Sequence, residues 1–410
     1  MGITRVAQRL RPRPAQSSAA PAGTRDADFA YLNSGEVYLD SACQTVRPQP
    51  VIDAMTQYFT QYNACGDRAR YAWGRRVDAE VERTRVAVLR ALDLPRRSYR
   101  CSFTLNTTYA LNLLLQQIPR GRFDRIVTTQ TEHNAVFLST MTAAARLGVP
   151  RVVVDRTPEG RVPAPGDGLD SCLVVVSAMD NVTGTLTSGL DELIERTHRR
   201  GGMVILDAAQ AAPHALSQLR GLRADAICFS AHKMYGPALG VVVATEELLA
   251  SLDISFVGGG QVSEVTADGF TLRGELHTRL EPGLQPWGEI IAFGAALEWF
   301  TARHARIEAA EHELAGILHD GLAALPHVRI LGTTPTPVLS LEPTRVDAHR
   351  LAVFLSQAGV MVRSGHFCAH HWLAERRSLP PLVRFSLGAH NTPADIEMAL
   401  SVTGRLLRGL

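Results

Sequence analysis

The stretch AICFSAHKMYGP, residues 226–237, joins a buried strand pattern to the only lysine among the 42 basic residues of the chain. Lysine and arginine both keep a positive charge at a protein surface. Only the ε-amine of lysine loses its proton and attacks an aldehyde carbon, because the guanidinium stays protonated. Lys233 is therefore a candidate for a covalent bond to a cofactor; the alternative is an ordinary surface charge.

Other apolar runs resemble the strand before Lys233, namely RIVTT (125–129), RVVVD (151–155), CLVVVS (172–177), MVILD (203–207) and GVVVA (240–244). Helical patterns such as DELIERTHRR (191–200) lie between them. Buried strands with helical connections indicate a mostly parallel sheet that is covered on both faces. From about residue 290 the pattern changes to long amphipathic helices and a few strands, which predicts a smaller α+β domain.

Length and charge limit the classes of function. A chain of 410 residues with 46% hydrophobic content is expected to form two domains. A net charge of +2 argues against nucleic acid or an anionic membrane as a partner, and favours a small molecule. No run of about 18 apolar residues predicts a membrane span. The six cysteines contain no CxxC pair, which favours a reducing compartment, and we expect a cytoplasmic protein.

Chemically useful side chains follow several strands at the edge where ligands bind in open α/β sheets. Asp207 ends one strand, and a carboxylate there could keep a pyridinium nitrogen protonated. Thr107 and Thr108 begin a helical pattern, where backbone N–H groups and hydroxyls favour a phosphate. Ser230 and His232 could add donors, and His133 follows the strand RIVTT. Capping of the next helix is the alternative for Asp207 and the threonines, and a structural role for His133.

Together these motifs resemble the pyridoxal-phosphate (PLP) signature of class V aminotransferases of fold type I. The resemblance includes SAHKMYGP (230–237), LDAAQ (206–210), TEHN (131–134), NTTYALN (106–112) and NVTGT (181–185), and extends from about Tyr38 to the C-terminus. It implies a large domain with a mostly parallel seven-stranded sheet, a smaller C-terminal α+β domain and a homodimer. The implied boundaries are a disordered tail at 1–28, an N-terminal segment at 29–45 that contributes to the active site and the small domain, a PLP-binding domain at 46–290 and a small domain at 291–410.

The resemblance also implies roles around PLP. Lys233 would form the Schiff base and Asp207 would contact the pyridine nitrogen. Gln210 would lie near the ring hydroxyl, and His133 would stack on the ring. The remaining implied cofactor contacts are Thr107, Thr108, Ser230 and His232 around the phosphate, with Asn181 at the cofactor and the substrate.

A second stretch, VRSGHFCAHHW (362–372), is similar to the loop of group II cysteine desulfurases and selenocysteine lyases, in which a cysteine takes sulfur from the substrate. Cys368 matches that cysteine, Arg363 matches the arginine before it, and Arg384 matches the arginine that receives the substrate carboxylate. A thiolate at Cys368 could remove the sulfur as a persulfide and leave alanine. The cluster HFCAHH packs four potential ligands too closely to complete a tetrahedron, so no metal site is expected.

Three positions depart from the family pattern. The early stretch NAAT is replaced in YLDSACQT (38–45), which puts Cys43 at the cofactor's edge. We interpret Cys43 as filling space, although a relay of sulfur is the alternative. Tyr71 stands near an expected histidine, and Leu284 replaces a threonine whose hydroxyl reaches the partner subunit's phosphate.

The sequence therefore predicts a PLP-dependent homodimer that removes sulfur or selenium from a cysteine-type amino acid through a persulfide on Cys368, with a possible sulfur-acceptor protein as partner. The alternatives are a C–S lyase, an aminotransferase or a decarboxylase for a specialised amino acid. A non-catalytic sulfur-carrier scaffold is a further one. The true substrate, the choice between sulfur and selenium, the acceptor and the pathway stay open.

Overall fold

A computed structural model describes residues 25–32, 35–67, 69–157, 159–163 and 170–409. The chain divides into two compact units. Counting only the described residues, the larger one falls within Arg47–Asp180 and Leu186–Arg303, and the smaller one within Met1–Val46, Asn181–Thr185 and His304–Leu410.

The larger unit is built on a seven-stranded sheet. Across the sheet the strands follow the order Tyr99–Thr104, Gly240–Thr245, Ala226–Ser230, Met203–Asp207, Cys172–Ser177, Arg125–Thr129 and Arg151–Val154. Gly240–Thr245 runs antiparallel to both of its neighbours, and the pairs from Ala226–Ser230 to Arg151–Val154 are parallel. The predicted mostly parallel sheet is confirmed.

One edge strand lacks the continuous apolar pattern of the others. Tyr99–Thr104 (YRCSFT) alternates polar with apolar residues, yet all of its residues except Arg100 are buried. The helix Ala72–Ala91 and the 3₁₀ helix Leu276–Leu280 pack on this strand. Its burial therefore comes from tertiary contacts that the local pattern does not reveal.

Helices cover the sheet of the larger unit. They are Gln49–Gln61, Ala72–Ala91, Thr107–Leu115, Asn134–Leu147, Leu190–His198, Ala211–His214, Leu216–Leu219, Glu246–Ser251 and Trp287–Thr301. A short antiparallel hairpin pairs Val262–Val265 with Phe270–Leu272. Trp287–Thr301 packs against Gln49–Gln61 and Ala72–Ala91, and this packing places the helix in the larger unit, beyond the expected boundary at 290.

The smaller unit contains a four-stranded antiparallel sheet in the order Val328–Leu331, Val338–Pro343, Leu382–Ser386 and Arg363–Gly365. A separate parallel pair joins Val37–Tyr38 to Val360–Met361. Its helices are His304–Ala323, Ala348–Gln357 and Pro393–Arg408, together with a π-helical turn at His371–Arg376. The core of this unit includes Leu39, Leu318, Leu341, Leu355, Phe385 and Ile396. This is the α+β arrangement that the sequence predicts.

The predicted tail at 1–28 was too long at its C-terminal end. Residues 1–24 lie outside the described part of the chain. Arg25 donates a hydrogen bond to the carbonyl oxygen of His390 at 3.0 Å and forms an ion pair with Asp395 at 3.1 Å. A 3₁₀ helix follows at Ala27–Leu32. Residues 25–28 therefore belong to the folded smaller unit.

In the described residues, no helix is long and apolar enough to cross a membrane.

A buried histidine in this unit links stability to pH. His390 is 1% exposed, and its Nε2 lies 3.0 Å from the carbonyl oxygen of Tyr38. Burial lowers the pKa of His390 to about 4, and the nearby charge of Arg25 lowers it further whereas Asp395 opposes it. Because this pKa lies below that of the unfolded chain, the unfolded chain binds the proton more readily, and stability is lost as the pH falls from 6.5 towards 4.

We expect His390→Gln to weaken this acid dependence, since the glutamine amide can still donate to Tyr38 but does not titrate. Between pH 6.5 and 5 the native protein should lose about 1.5 kcal/mol more of its unfolding free energy than the variant. Denaturant unfolding of both proteins at several pH values measures the difference. Parallel curves for the two proteins would contradict the assignment.

Candidate active site

The carboxyl ends of the central strands bring several predicted residues of the larger unit to one edge of the sheet. Asp207, the last residue of its strand, pairs in register with Ser177 on one side and Cys228 on the other. Lys233 ends a 3₁₀ turn, Ala231–Lys233, that directly follows the strand Ala226–Ser230. The lysine and the acid therefore follow adjacent strands, as the sequence predicts.

The turn around Lys233 is closed by backbone hydrogen bonds. The N–H groups of Met234 and Gly236 both donate to the carbonyl oxygen of Ala231, each at 2.8 Å. Tyr235 has a left-handed φ of 61°. A Cβ on Gly236 would lie 2.8 Å from the ring of Phe293 and 3.1 Å from the oxygen of Ala231, so the turn requires glycine. These constraints fix the backbone that carries the lysine.

Asp207 is 4% exposed and accepts a hydrogen bond from the N–H of Ala209 at 2.9 Å. Burial raises the pKa of Asp207 to about 6; Lys233 lowers it and Glu132 raises it. A buried carboxylate of this kind is stabilised by any cation that reaches it. It suits the protonated nitrogen of an aromatic ring.

The N-terminus of the helix Thr107–Leu115 contacts the end of the strand Ala226–Ser230, which precedes Lys233. The N–H of Thr107 donates to Ser230 Oγ at 3.0 Å, and the two hydroxyl oxygens are 2.6 Å apart. Gly240 lies opposite Ser230 on the neighbouring strand, and a Cβ there would lie 2.6 Å from the backbone nitrogen of Asn106, so the residue before this helix also requires a glycine beside it. Hydroxyls and free N–H groups of the first turn can bind a phosphate here. Thr107 and Ser230 are buried, whereas Thr108 is exposed.

The larger unit also contains the two histidines predicted for the site. His133 follows the strand Arg125–Thr129, and His232 directly precedes Lys233. His133 Nδ1 accepts from the N–H of Ala135 at 3.0 Å and caps the helix Asn134–Leu147, which leaves the proton of the neutral ring on Nε2. Burial, together with the charges of Lys233 and Arg47, lowers the pKa of His232 to about 4. His232 is therefore a neutral donor or acceptor near pH 7. Gln210, also predicted here, is buried at 3% exposure just before the helix Ala211–His214.

A buried ion pair next to His133 was not predicted. Glu132 accepts from Thr129 Oγ1 at 2.5 Å, from Arg156 Nη2 at 2.9 Å and from the N–H of Ser177 at 2.8 Å. The side chain of Glu132 is fully buried and that of Arg156 is 8% exposed. The pair holds together three strand ends and the turn that carries His133. No local pattern links positions 132 and 156; only the glutamate beside the histidine in TEHN pointed to this region.

Replacing Glu132 with glutamine should destabilise the larger unit by about 3–5 kcal/mol, because it leaves the guanidinium of Arg156 buried without a counter-charge. The matched control is Glu192→Gln, which removes an exposed ion pair to Arg161 with a separation of 2.8 Å. This second change should cost less than about 1 kcal/mol. Denaturant unfolding of both variants measures the difference. Equal losses would show that burial of the first pair has no energetic consequence.

The other predicted residues lie in the smaller unit. Cys368 is exposed, and it follows Phe367 in a turn where both residues have left-handed φ values, 50° and 57°. Asn181 Nδ2 donates to the carbonyl oxygen of Phe367 at 2.6 Å. The guanidinium of Arg384 lies 4.8 Å from the centre of the Phe367 ring. The turn is thus held at Phe367 while the thiol of Cys368 is exposed.

Two arginines occupy facing positions on neighbouring strands of the small sheet, since Arg363 pairs with Arg384 in register. Arg384 is 3% exposed; it donates to the carbonyl oxygen of Asn181 at 3.0 Å and lies 3.4 Å from the carboxylate of Asp40. Arg363 binds the same carboxylate, with a shortest distance of 2.8 Å. Burial lowers the pKa of Arg384.

Asp40, Asn181, Arg363, Phe367 and Arg384 form a cluster in the smaller unit. Two of its buried polar atoms, Arg384 Nε and Asn181 Oδ1, have no hydrogen-bond partner in the described part of the chain. Unsatisfied groups of this kind cost free energy unless a ligand or water binds them. A guanidinium with a free N–H fits a carboxylate ligand, and the amide oxygen fits a donor. Asp40, which was not predicted, orients both arginines.

Two of the departures from the family pattern, Tyr71 and Leu284, are exposed in the larger unit, Leu284 at 78%. Among the described residues no group of His, Cys, Asp and Glu side chains is arranged to hold a metal ion.

Known proteins are similar to this chain in sequence and in fold. The sequence profile of the family described as Aminotransferase class-V matches residues 37–398. A probable cysteine desulfurase of Vibrio cholerae is 32% identical over 89% of this chain and 92% of its own length. The cysteine desulfurase CsdA of Escherichia coli is 29% identical over 93% of this chain and 96% of its own length.

Solved structures of cysteine desulfurases have the same fold as this chain. The S-sulfonic acid form of the Escherichia coli cysteine desulfurase CsdA has a TM-score of 0.84 at 28% identity, covering 94% of this chain and 98% of its own. The apo cysteine desulfurase of Thermococcus onnurineus NA1 has a TM-score of 0.83, also at 28% identity, covering 92% of this chain and 95% of its own.

Proposed function

Because the chain belongs to the class-V aminotransferase family, we propose that it is a PLP-dependent cysteine desulfurase that takes sulfur from a cysteine-type amino acid onto Cys368 and releases alanine. The observation that carries this proposal is the turn at Cys368. Its thiol is exposed, and its neighbour Phe367 packs under Arg384, whose buried guanidinium keeps an N–H group without a partner among the described residues.

The residues of the larger unit fit PLP. When bound, this cofactor withdraws electrons from the substrate carbon that bears the amino group. The ε-amine of Lys233 would hold its aldehyde covalently, and Asp207 would keep its ring nitrogen protonated. Thr107, with Ser230, would bind its phosphate, with Thr108 and His232 as further donors. His133 would lie against the ring and Gln210 beside its hydroxyl.

The residues of the smaller unit would act on the substrate. Arg384 Nε, for which the described residues supply no acceptor, would bind the substrate carboxylate, as would Arg363. Asn181 Oδ1, which has no donor in the same part of the chain, would accept a hydrogen bond from cofactor or substrate. The thiolate of Cys368 would then attack the substrate sulfur, forming an S–S bond as the C–S bond breaks, and the Cβ of the product would take a proton.

The assembly and the location are part of the proposal. We propose a homodimer that passes the sulfur to an acceptor protein or to a reductant, by analogy with the family. The six cysteines lie far apart in the sequence without a CxxC pair, which fits a reducing compartment such as the cytoplasm.

Incubation of the holoenzyme with a panel of amino acids, followed by mass spectrometry of the products and of the protein, tests the function. We expect alanine from cysteine, and one added sulfur atom on Cys368. Pyruvate and ammonia would instead indicate a lyase, and an oxo acid from the amino donor would indicate an aminotransferase.

A further inference from the structure

A second thiol of the smaller unit lies beside the arginines of the proposed substrate site. Cys43 is half-buried and belongs to a turn in which its N–H donates to the carbonyl oxygen of Asp40 at 3.0 Å. The N–H of Ala42 donates to Ser386 Oγ at 2.9 Å, which fixes the turn on the small sheet. A residue that only fills space in a core would be fully buried. Because Cys43 is half-buried, packing alone does not explain a thiol at this position.

The sulfur of Cys43 has a charged donor. Arg363 Nη2 lies 2.8 Å from Cys43 Sγ and 2.8 Å from a carboxylate oxygen of Asp40. A guanidinium that donates to sulfur stabilises an anionic sulfur species, and the bidentate contact with Asp40 holds the guanidinium in place.

Each of the two thiols belongs to a segment that contacts one member of the same pair of arginines. Cys43 contacts Arg363, whereas Cys368 follows Phe367, whose ring lies under the guanidinium of Arg384. Arg363 and Arg384 are opposite each other on adjacent antiparallel strands. Cys368 comes five residues after Arg363 in the chain. Arg384 Nε and Asn181 Oδ1, which have no hydrogen-bond partner among the described residues, lie in the same group of side chains, which indicates that it is built to bind a further polar or anionic group.

We propose that Cys43 is a second sulfur-carrying residue, which receives the outer sulfur of the persulfide from Cys368. This inference rests on the proposed function. The thiolate of Cys43 attacks the outer sulfur, a new S–S bond forms at Cys43, and the bond between that sulfur and Cys368 Sγ breaks. Cys368 leaves as a thiolate and takes up the proton that Cys43 released. No oxidant or reductant is consumed, and the Arg363 guanidinium holds the negative charge of the new perthiolate.

The transfer has a stoichiometric consequence. Once Cys368 is a free thiol again it can accept sulfur from a second substrate molecule. Each chain then holds two transferable sulfur atoms before any acceptor is present. Cys43 would act as a store that separates sulfur removal from sulfur delivery.

The experiment uses the purified holoenzyme with L-cysteine and without added thiol or acceptor. The rapid phase of alanine formation should give about two equivalents per chain in the native protein, and about one in Cys43→Ser and Cys43→Ala; alanine is the residue of the family pattern at this position. Peptide mass spectrometry should find one added sulfur on Cys43 and one on Cys368. Cys65→Ser, which changes an exposed thiol of the larger unit, is the matched control and should still give about two equivalents.

Labelling at Cys368 alone, with one equivalent of alanine from the native protein, would overturn the inference and leave the proposed function intact. Equal labelling of Cys65 and Cys43 would also overturn it, because it would indicate unspecific exchange. A lack of added sulfur on Cys368 in both the native protein and Cys43→Ser would overturn the proposed function and this inference together.

Discussion

Replacing Cys368 with serine should reduce sulfide release and alanine formation from cysteine by on the order of 10³-fold, as expected when a nucleophile is lost. The hydroxyl of serine is a poor nucleophile near neutral pH and cannot form a persulfide. The Cys368 side chain is exposed, so the variant should keep its melting temperature and its cofactor absorbance.

The same variant separates the proposed function from its alternatives. A C–S lyase or an aminotransferase would turn over its substrate without the thiol. Cys65→Ser is the matched control, since Cys65 is also exposed but lies in the larger unit. Retention of more than about a tenth of the native rate by Cys368→Ser would exclude the persulfide route.

Replacing Lys233 with alanine should remove the visible absorbance of lysine-bound PLP and reduce turnover by roughly 10³-fold or more, the loss expected for an amine that both binds the cofactor and moves protons. The charge of Lys233 acts on Asp207 and on His232, so the alanine variant changes the electrostatics of the site as well.

Lys233→Arg distinguishes the two effects. Arginine keeps the positive charge near Asp207 but does not form a Schiff base. If the lysine acts through its amine, the arginine variant should be as inactive as the alanine variant and should also lack the visible band. Recovery of activity in Lys233→Arg would show that only the charge matters.

Much of the larger unit could be predicted because its strands are short apolar runs that are buried on both faces. The runs at Cys172–Ser177, Met203–Asp207 and Ala226–Ser230 carry their burial in the local sequence, and the structure contains all three. The predicted fold, that of type I PLP enzymes, is confirmed by the solved cysteine desulfurase structures. Tyr99–Thr104 could not be predicted, because its burial depends on elements packed on it from distant parts of the chain.

The candidate site shows the same division. Lys233 and Asp207 could be proposed because they follow recognisable strands, and a lone lysine is conspicuous. Asp40 and the pair of Glu132 with Arg156 depend on contacts across long sequence separations. Patterns within a single sequence do not show which distant residues will be in contact. The contact between Arg363 and Cys43 likewise depends on how the small sheet brings distant segments together.

The pairing of Val37–Tyr38 with Val360–Met361 bears on how the protein is made. A strand near the start of the chain has a partner that leaves the ribosome more than 300 residues later, an interval of roughly 15–65 s at typical rates of translation. The seven strands of the central sheet lie between these segments, so all of them are synthesised before Val360–Met361. The segment that carries Cys43 therefore stays without its sheet partner through most of synthesis, and nascent-chain arrest before residue 360 should leave that segment open to proteolysis.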